Sequence, residues 1–375
     1  MITTSGQGAD VQNLTARYNV EIDGQKFEQQ QSQGLEALTV EDHVDMVGVA
    51  EITFSSAGTR SAPGAEPDGL GWDGIKIGSE VKVKVGSGGV ADGSGGKTAV
   101  AGQREYAFVG VITGLRHSYL KSRDSITILA MDPLCKLAAS QATRVFEEMT
   151  DSDIVNQVLG EAGLDIGTVD STPETRKYIL QRNESDFMFL RRLAARNGFL
   201  LQSNDGKIDF AKAQYSAAPV EFTKADLISL DYTFSDRGLP KKITAYGWDY
   251  LTKEKVEGSA SAGDIDTIGG GDNAVEKTGQ IYQGEAYISD VFVDNQQMAL
   301  ELAKSQLNRM ARGFLRGRAI IEGSAAVTAG SKVKFQGTKG NFQPEGYVIS
   351  ARTRVYVGSG ETTEVVFVSN THPNG

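Results

Sequence analysis

Hydrophobic and polar residues alternate along several short stretches near both ends of the chain. The clearest are "IKIGSEVKVKVG" at 75–86 and "GSKVKFQG" at 330–337, in which apolar and polar residues take turns. Side chains of a strand point alternately to its two faces, so the pattern predicts strands with one buried and one wet face. The Asp-Gly pair in "YNVEIDGQKF" at 18–27 adds a hairpin turn. Both ends of the chain are therefore predicted to be rich in strands.

Between these ends the apolar residues recur every three or four positions, which is typical of helices packed on a core. One helix is predicted after Thr150, which can cap it, and Gly163 can end it. A second helix is predicted from about residue 184 to 197, before Gly198. A third is predicted over 294–312, with Asp294 as its cap. This pattern indicates a helical and mixed region inside a strand-rich chain.

These patterns predict an α+β, mainly β fold with two similar β-barrel domains and a helical or mixed region between them. The surplus of glycine, 44 of 375 residues, fits the many turns of such a protein. The predicted parts are an N-terminal extension (1–17), a first β-barrel domain (18–145) with a glycine-rich insertion (86–103), a middle domain (146–219), and a second β-barrel domain (220–375) with the helix at 294–312 and a long mobile loop at 258–284.

The two strand-rich parts resemble each other in sequence. "GSEVKVKV" from Gly78 matches "GSKVKF" from Gly330, and "GVITGLRH" from Gly110 matches "GYVISART" from Gly346. One β unit is therefore predicted to occur twice. Alternating patterns also arise by coincidence, which is the alternative interpretation.

The glycine-rich insertion contains "ADGSGGKT" at 91–98, a loose match to a phosphate-binding loop. Such a loop needs a buried strand before it and a helix after it, so that backbone amides surround the phosphates. The strand before it alternates with lysines, and "AVAGQREYAF" after it is too short and glycine-broken for that helix. The interval from Gly78 to Gly110 is also twice as long as that from Gly330 to Gly346. We therefore interpret 91–98 as the tip of a hairpin loop.

Composition narrows the class of protein. The net charge of −10 argues against a nucleic-acid binder, because phosphate contacts need a basic face. A single cysteine, Cys135, excludes a disulfide framework and a zinc site of several thiolates. The sequence contains no run of 18 apolar residues, which is about the length that a membrane-spanning helix needs, and its first residues lack the pattern of a cleaved leader. We expect a protein that stays in the cytoplasm or leaves it without a leader.

Candidate chemistry is sparse. The three histidines are scattered along the chain, at His43, His117 and His372. Asp264 and Asp266 begin a stretch that hints at a calcium loop, but Ile268 and Val275 stand where ligands belong. No Gly-x-Ser-x-Gly nucleophile turn is present. We predict no catalytic residue, cofactor or metal site, and we expect that the protein is not an enzyme.

The most specific stretch is "YILQRNESDFMFLRRLAARNGFLLQ" at 178–202. On its own it predicts a strand, an amphipathic helix capped by Asn183, a glycine stop and another strand. It resembles the signature of the late-control D / VgrG N-terminal family of phage tail baseplate hubs. The matching residues, which are structural, are Glu184, Ser185, Asp186, Phe187, Phe189, Leu190, Arg192, Leu193 and Gly198.

The resemblance implies a structural hub of a contractile tail or injection system. Such a hub is a homotrimeric, hub-like ring that adapts a six-fold tail tube to a three-fold spike and also meets baseplate wedge proteins. The chain stops at Gly375, after its last predicted strand, so the spike is expected to be a separate protein. We expect assembly in the bacterial cytoplasm as a component of a virion or phage-tail-like particle.

A second function stays open at this stage. The chain could be a carbohydrate-binding or adhesive β-sandwich protein of a receptor-binding appendage. Exposed aromatic platforms would favour that function, and Trp72 and Trp248 are the only tryptophans. An enzyme that uses the loop at 91–98 is the third reading.

Overall fold

A computed structural model describes residues 17–28, 35–55, 75–86, 106–119, 124–236, 238–278, 284–323, 327–337, 343–356 and 360–372. The N-terminal part holds β1 (Arg17–Ile22), β2 (Gln25–Glu28), β3 (Leu35–His43), β4 (Val49–Ser55), β5 (Glu80–Gly86), β6 (Phe108–Tyr119) and β7 (Asp124–Met131). The middle part holds α1 (Cys135–Ala138), β8 (Gln141–Thr150), α2 (Asp151–Glu161), β9 (Ile166–Val169), β10 (Thr175–Ser185), α3 (Asp186–Asn197), β11 (Phe199–Asn204) and β12 (Lys207–Lys212).

The C-terminal part begins with β13 (Val220–Phe222), β14 (Leu227–Phe234), β15 (Lys242–Asp249), β16 (Glu254–Ala260), β17 (Asp272–Asn273), α4 (Ala274–Thr278) and β18 (Glu285–Ile288). It continues with α5 (Gln296–Ala311), β19 (Leu315–Glu322), β20 (Lys332–Phe335), β21 (Glu345–Tyr356), β22 (Gly360–Ser369) and β23 (Thr371–His372). The prediction of a mainly β fold is confirmed. The N-terminal extension before residue 17 and the stretch at 91–98 lie outside the described residues.

One sheet of 13 strands runs through both ends of the chain, in the order β14-β19-β22-β21-β3-β4-β7-β6-β5-β1-β2. In addition, β20 pairs with β21, and β13 pairs with β20. The two ends join where β21 pairs with β3, from Ser350 opposite His43 to Tyr356 opposite Ala37. We call this contact the inner seam. The prediction of two β-barrels is wrong for the described residues, which form no closed barrel. A barrel closes when its own first and last strands pair, and here the edge of β3 is occupied by β21 of the other half.

The predicted repeat is a repeat of structure. In the first repeat the strands lie in the order β3-β4-β7-β6-β5, and in the second in the order β14-β19-β22-β21-β20. All pairs within both repeats are antiparallel. The two units follow the chain in the same order as well, so five strands share one topology. Coincidence of alternating patterns does not produce this correspondence.

The two repeats also agree in their irregular features. Gly110 lies opposite Val81, and Gly346 lies opposite Val333, which is the register that the sequence repeat predicts. The N–H of Gly78 donates to the carbonyl of Ile112 at 2.8 Å, and that of Gly330 donates to Val348 at 2.9 Å. A bulge follows Ile112 in one repeat and Val348 in the other. Bulges are specific features of a strand pair. Because they occur at equivalent residues, the two repeats match residue by residue as well as in topology.

The middle part packs α2 and α3 against two small strand pairs, β8 with β10 and β11 with β12. Thr150 caps α2 as predicted, accepting the N–H of Asp153 at 3.1 Å. The rings of Phe146 and Phe189 stack with centroids 5.4 Å apart in this core. The domain boundary predicted at 145/146 falls within β8.

The helix α5 covers the sheet β16-β15-β18 and forms a separate core with it. Its cap is Asn295, whose side chain accepts the N–H of Met298 at 2.9 Å. The sequence prediction placed the cap one residue earlier, at Asp294. Both residue types cap helices well, so the local sequence does not choose between them.

The prediction of a loop over 258–284 is wrong for much of that range. Residues 258–278 hold the end of β16, a 3-10 turn (Ala262–Asp264), β17 and α4. Distant side chains support this backbone: Asn308 Oδ1 accepts the N–H of Asp266 at 2.8 Å, and Asn370 Nδ2 donates to the carbonyl of Asp266 at 2.7 Å. These partners are far away in sequence, so the local composition of glycine, serine and aspartate did not reveal them.

Candidate functional site

One face of the large sheet carries ion pairs that cross from strand to strand. At the inner seam, Glu41 accepts a hydrogen bond from Arg352 Nε at 2.7 Å and lies 3.1 Å from His43 Nε2. Burial raises the pKa of Glu41, but the hydrogen bonds from Arg352 and His43 outweigh it and hold the pKa below its ordinary value. The carboxylate thus stays charged and ties β3 to β21.

The same face continues in the second repeat and in the first. Glu364 accepts a hydrogen bond from Arg318 Nε at 2.9 Å and lies 3.5 Å from Arg354. The hydrogen bond from Arg318 lowers the pKa of Glu364. Arg116 Nη1 lies 3.8 Å from Glu51. Exposed ion pairs of this kind add little stability. Their main effect is that this solvent-exposed face of the sheet carries charges of both signs. We call it the polar sheet face.

The opposite, buried face of the sheet holds an unusual carboxyl group. Glu361 in β22 is 6% exposed and lies opposite Val355. Its Oε1 atom has no hydrogen-bond partner among the residues that the structure describes. Burial raises the pKa of Glu361 from 4.5 to about 7, because a desolvated carboxyl group favours its neutral form.

Replacing Glu361 with glutamine is expected to flatten the dependence of stability on pH. Between about pH 4.5 and 7 the folded protein binds this proton and the unfolded chain releases it, so stability falls as pH rises through that window. At pH 8 we expect Glu361→Gln to be more stable than the parent by about 1–3 kcal/mol, with no difference at pH 4. Urea unfolding at both pH values measures this. Glu322→Gln, on the exposed face of β19, is the control, and equal pH slopes for Glu361→Gln and the parent would contradict the assignment.

The residues of the predicted signature lie together at the start of α3 and along it. Ser185 is the cap, and its hydroxyl accepts the N–H of Met188 at 3.3 Å. Asp186 follows in the first turn and accepts hydrogen bonds from Arg144 and from Gln181 Nε2, the latter at 2.8 Å. The pair of carboxylate and cap fixes the point where β10 turns into α3.

The remaining signature residues divide between the surface and the core. Glu184 accepts a hydrogen bond from Arg192 Nη2 at 2.6 Å, and the same nitrogen donates to the carbonyl of Leu180 at 3.1 Å. The apolar members pack into the core of the middle part, with Phe187 partly buried and three fully buried, namely Phe189, Leu190 and Leu193. Their contacts hold α3 against the core of the middle part.

Gly198 ends α3 and connects the middle part to α5. It has a φ of 70°, in the left-handed region that favours glycine. Next to it, the hydroxyl of Ser305 in α5 donates to the carbonyl of Ala195 at 2.6 Å. The carbonyl of Ala195 also accepts the N–H of Gly198 at 3.4 Å, and the hydrogen bond from Ser305 attaches this end of α3 to the C-terminal part.

A buried ionic cluster next to the signature was not found from the sequence. Asp151, at the start of α2, is 1% exposed and accepts hydrogen bonds from Arg196 and from Asn197 Nδ2. Arg176 Nε lies 3.4 Å from the same carboxylate. The only signal in the sequence was an acidic residue in the first turn of a helix, which is typical of an exposed position as well.

The other candidate residues stay apart. His43, His117 and His372 lie on β3, β6 and β23. Asp264 ends a 3-10 turn and lies 3.5 Å from Lys304 Nζ. Within the described ranges no group of three or more His, Cys, Asp or Glu side chains could hold a metal ion, and no helix there has the length and apolar character to cross a membrane.

The described residues include exposed aromatic side chains of the kind that the adhesive alternative needs, since Tyr250 and Phe292 are both exposed and stack with ring centroids 6.1 Å apart. Trp248 lies on β15 and is 45% exposed. Trp72 lies outside the described residues.

Solved structures with the same fold are phage tail proteins and a related secretion component. The 43 kDa tail protein of prophage MuSo2 from Shewanella oneidensis is 15% identical, with a TM-score of 0.65 over 95% of this chain and 99% of its own. A tail protein from Neisseria meningitidis MC58 is 12% identical, with a TM-score of 0.66 over 95% and 97%. The Escherichia coli c3393 protein, a component of the type VI secretion system, is 14% identical, with a TM-score of 0.56 over 95% and 78%. At these identities the likeness shows the fold.

The family comparison corrects the resemblance drawn from the signature. The sequence profile described as Alg8 N-terminal domain matches residues 97–356. The assignment to the late-control D / VgrG family is therefore wrong as a family assignment. Its motif consists of a strand, a cap, an amphipathic helix and a glycine stop, which many helices share. No curated protein matches the chain.

Proposed function

The chain belongs to the Alg8 N-terminal domain family. From the tail-protein fold and the internal repeat we propose that it is a structural baseplate hub protein of a phage-like contractile tail or injection system. In this role three chains form a ring that connects a six-fold tail tube to a three-fold spike. The function is mechanical, and the protein is not an enzyme. The particle assembles in the bacterial cytoplasm.

The observation that carries this proposal is the five-strand unit that occurs twice in one chain. The two copies meet at the inner seam, where β21 of the second repeat pairs with β3 of the first. This contact joins different edges of equivalent units, so it is heterologous, and heterologous contacts generate rings when their rotation closes. Three chains with two units each present six similar units to a tube and three identical chains to a spike.

The polar sheet face supports the same role. Its charges of both signs are mostly paired across strands, as in Glu41 with Arg352 and Glu364 with Arg318. Such a surface stays hydrated without attracting one sign of charge, which suits the lining of a wide central channel. The partners in the particle are further copies of the chain, a tail tube protein, a spike protein and baseplate wedge proteins.

The oligomeric state of the purified protein tests the proposal. We expect light scattering at micromolar concentration, with the particle's purified spike protein present, to give a complex whose mass equals three chains of 40.1 kDa plus that of the bound spike. Negative-stain images of the same sample should show rings with a central lumen. A strict monomer under these conditions would contradict the proposal, and compact single particles would favour the adhesive alternative.

A further inference from the structure

Each repeat has two sheet edges, and the inner seam uses one edge from each. It takes the far half of β21 from the second repeat and β3 from the first. The equivalents of these edges are the far half of β6 in the first repeat and β14 in the second. β14 lies at one end of the sheet, and β6 pairs with β5 only as far as Val111. Along these two outer edges no further strand pairs within the described part of the chain.

The outer edges carry largely apolar side chains at the positions whose equivalents are buried in the inner seam. The inward residues of the inner seam are all buried, namely Leu38, Val40 and Asp42 on β3 and Ala351, Thr353 and Val355 on β21. The bulges that follow Leu35 and Leu227 align β3 with β14, and those that follow Ile112 and Val348 align β6 with β21. The equivalents are half-buried or exposed, namely Leu230, Tyr232 and Phe234 on β14 and Leu115, His117 and Tyr119 on β6. Tyr119 is 75% exposed. A partner strand on these edges would bury them as the inner seam does.

We infer that the far half of β6 in one chain pairs with β14 of the next chain, in an antiparallel register copied from the inner seam. At the inner seam Arg352 lies opposite Glu41, and Arg354 lies opposite Thr39. The alignment of the repeats turns these pairs into Arg116 opposite Thr233 and Ser118 opposite Asp231. This inference rests on the proposed ring and names the surface that closes it.

Charge and edge chemistry agree with this register. Asp231 becomes the diagonal neighbour of Arg116, within reach of a long side chain across an antiparallel pair. Among the described residues, the one ion pair of Arg116 is a long contact of 3.8 Å with Glu51, so the pairing gives Arg116 a second carboxylate. An unpaired edge is a site for uncontrolled strand addition, and the ring covers these two outer edges, β14 and the far half of β6, in every chain.

Disulfide formation tests the inferred register. The N–H of Val44 donates to the carbonyl of Ile349 at 3.2 Å. By alternation along the ladder, Thr39 and Arg354 form a non-hydrogen-bonded pair, whose side chains are closest. The equivalent pair between chains is Ser118 with Asp231, and the separation of such a pair suits a disulfide.

In a Cys135→Ser background, Ser118→Cys with Asp231→Cys is expected to link most chains into covalent dimers and trimers under mild oxidation. Thr39→Cys with Arg354→Cys is the matched control and should form a disulfide within one chain. Ser118→Cys with Tyr232→Cys places the thiols on opposite faces and should give far fewer links. Non-reducing electrophoresis detects the disulfide-linked species, and light scattering on the same samples measures the mass of the assembly.

Each outcome separates the inference from the proposed function. A trimer in which the Thr39 and Arg354 control links but Ser118 and Asp231 do not would overturn the inferred register and leave the hub proposal standing. Links at Ser118 and Asp231 in open chains that never close would support the strand pairing and overturn the ring. A monomer without links would overturn both.

Discussion

Replacing Asp151 with alanine is expected to lower the free energy of unfolding of the middle part by about 3–5 kcal/mol. The carboxylate is 1% exposed and accepts hydrogen bonds from Arg196 Nε and Asn197 Nδ2, each at 2.6 Å. Arg176 lies against it as well. Burial lowers the pKa of Arg196, which shows that its charge has lost much of its water. Without Asp151 that charge stays buried and loses its partner.

Amide hydrogen exchange of α2 and α3, together with urea unfolding, measures this effect on the region that contains the cluster. Asp165→Ala is the matched control, because Asp165 is exposed in the turn after α2, and we expect a change within about 0.5 kcal/mol. Asp151→Asn should fall between the two, since it keeps an acceptor oxygen and loses the charge. A loss below about 1 kcal/mol for Asp151→Ala would mean that water enters the site and solvates Arg196.

The helices could be predicted from the sequence because their signals are local. The cap at Thr150 and the stop at Gly198 each depend on residues within one or two turns. The cap of α3 was expected at Asn183 and lies at Ser185, two residues later, since both residue types cap helices well. The buried face of each strand could also be predicted, because apolar and polar residues alternate within the strand itself, whichever strand pairs with it. The repeat was found because both copies keep the same glycines, Gly110 and Gly346, at the same strand crossing.

The partners of the strands could not be predicted in this way. Alternation identifies the buried face of β3 but not the strand beside it, and that strand, β21, lies near the other end of the chain. The closed barrels were therefore expected where one continuous sheet is found. The Asp151 cluster was missed for the same reason. In the sequence, Asp151 is an ordinary acidic residue at the start of a helix, and its partners Arg196 and Arg176 lie on other elements. Long-range contacts decide both features.

The two repeats share a topology but fill their cores differently. Phe367 in β22 lies opposite Gly317 and beside Gly346. A Cβ atom at Gly317 would come within 2.2 Å of the Phe367 ring, and one at Gly346 within 2.5 Å. The first repeat has Ala130 opposite Ala50 at the equivalent crossing. The second repeat therefore places one large ring where the first places two small side chains.

Phe367→Ala is expected to lower the free energy of unfolding by about 3–5 kcal/mol, at the upper end for core truncations. The ring is fully buried, and its glycine neighbours have no side chains that could move into the space. Phe367→Leu should cost roughly 1–1.5 kcal/mol, because it keeps most of the volume. Thermal and urea unfolding of the three proteins measure the series.

Gly317→Ala decides whether the ring and the glycine form one packing unit. In the parent protein the new methyl group meets the Phe367 ring at 2.2 Å, so we expect a loss of about 1–3 kcal/mol. In the Phe367→Ala background the same methyl group enters the cavity and reproduces the alanine pair of the first repeat, so it should restore stability. The sign of the Gly317→Ala effect therefore reverses between the two backgrounds. If Gly317→Ala changes the free energy of unfolding equally in both backgrounds, the backbone must close the cavity that Phe367→Ala leaves. In that case the alanine pair of the first repeat does not fit in the second.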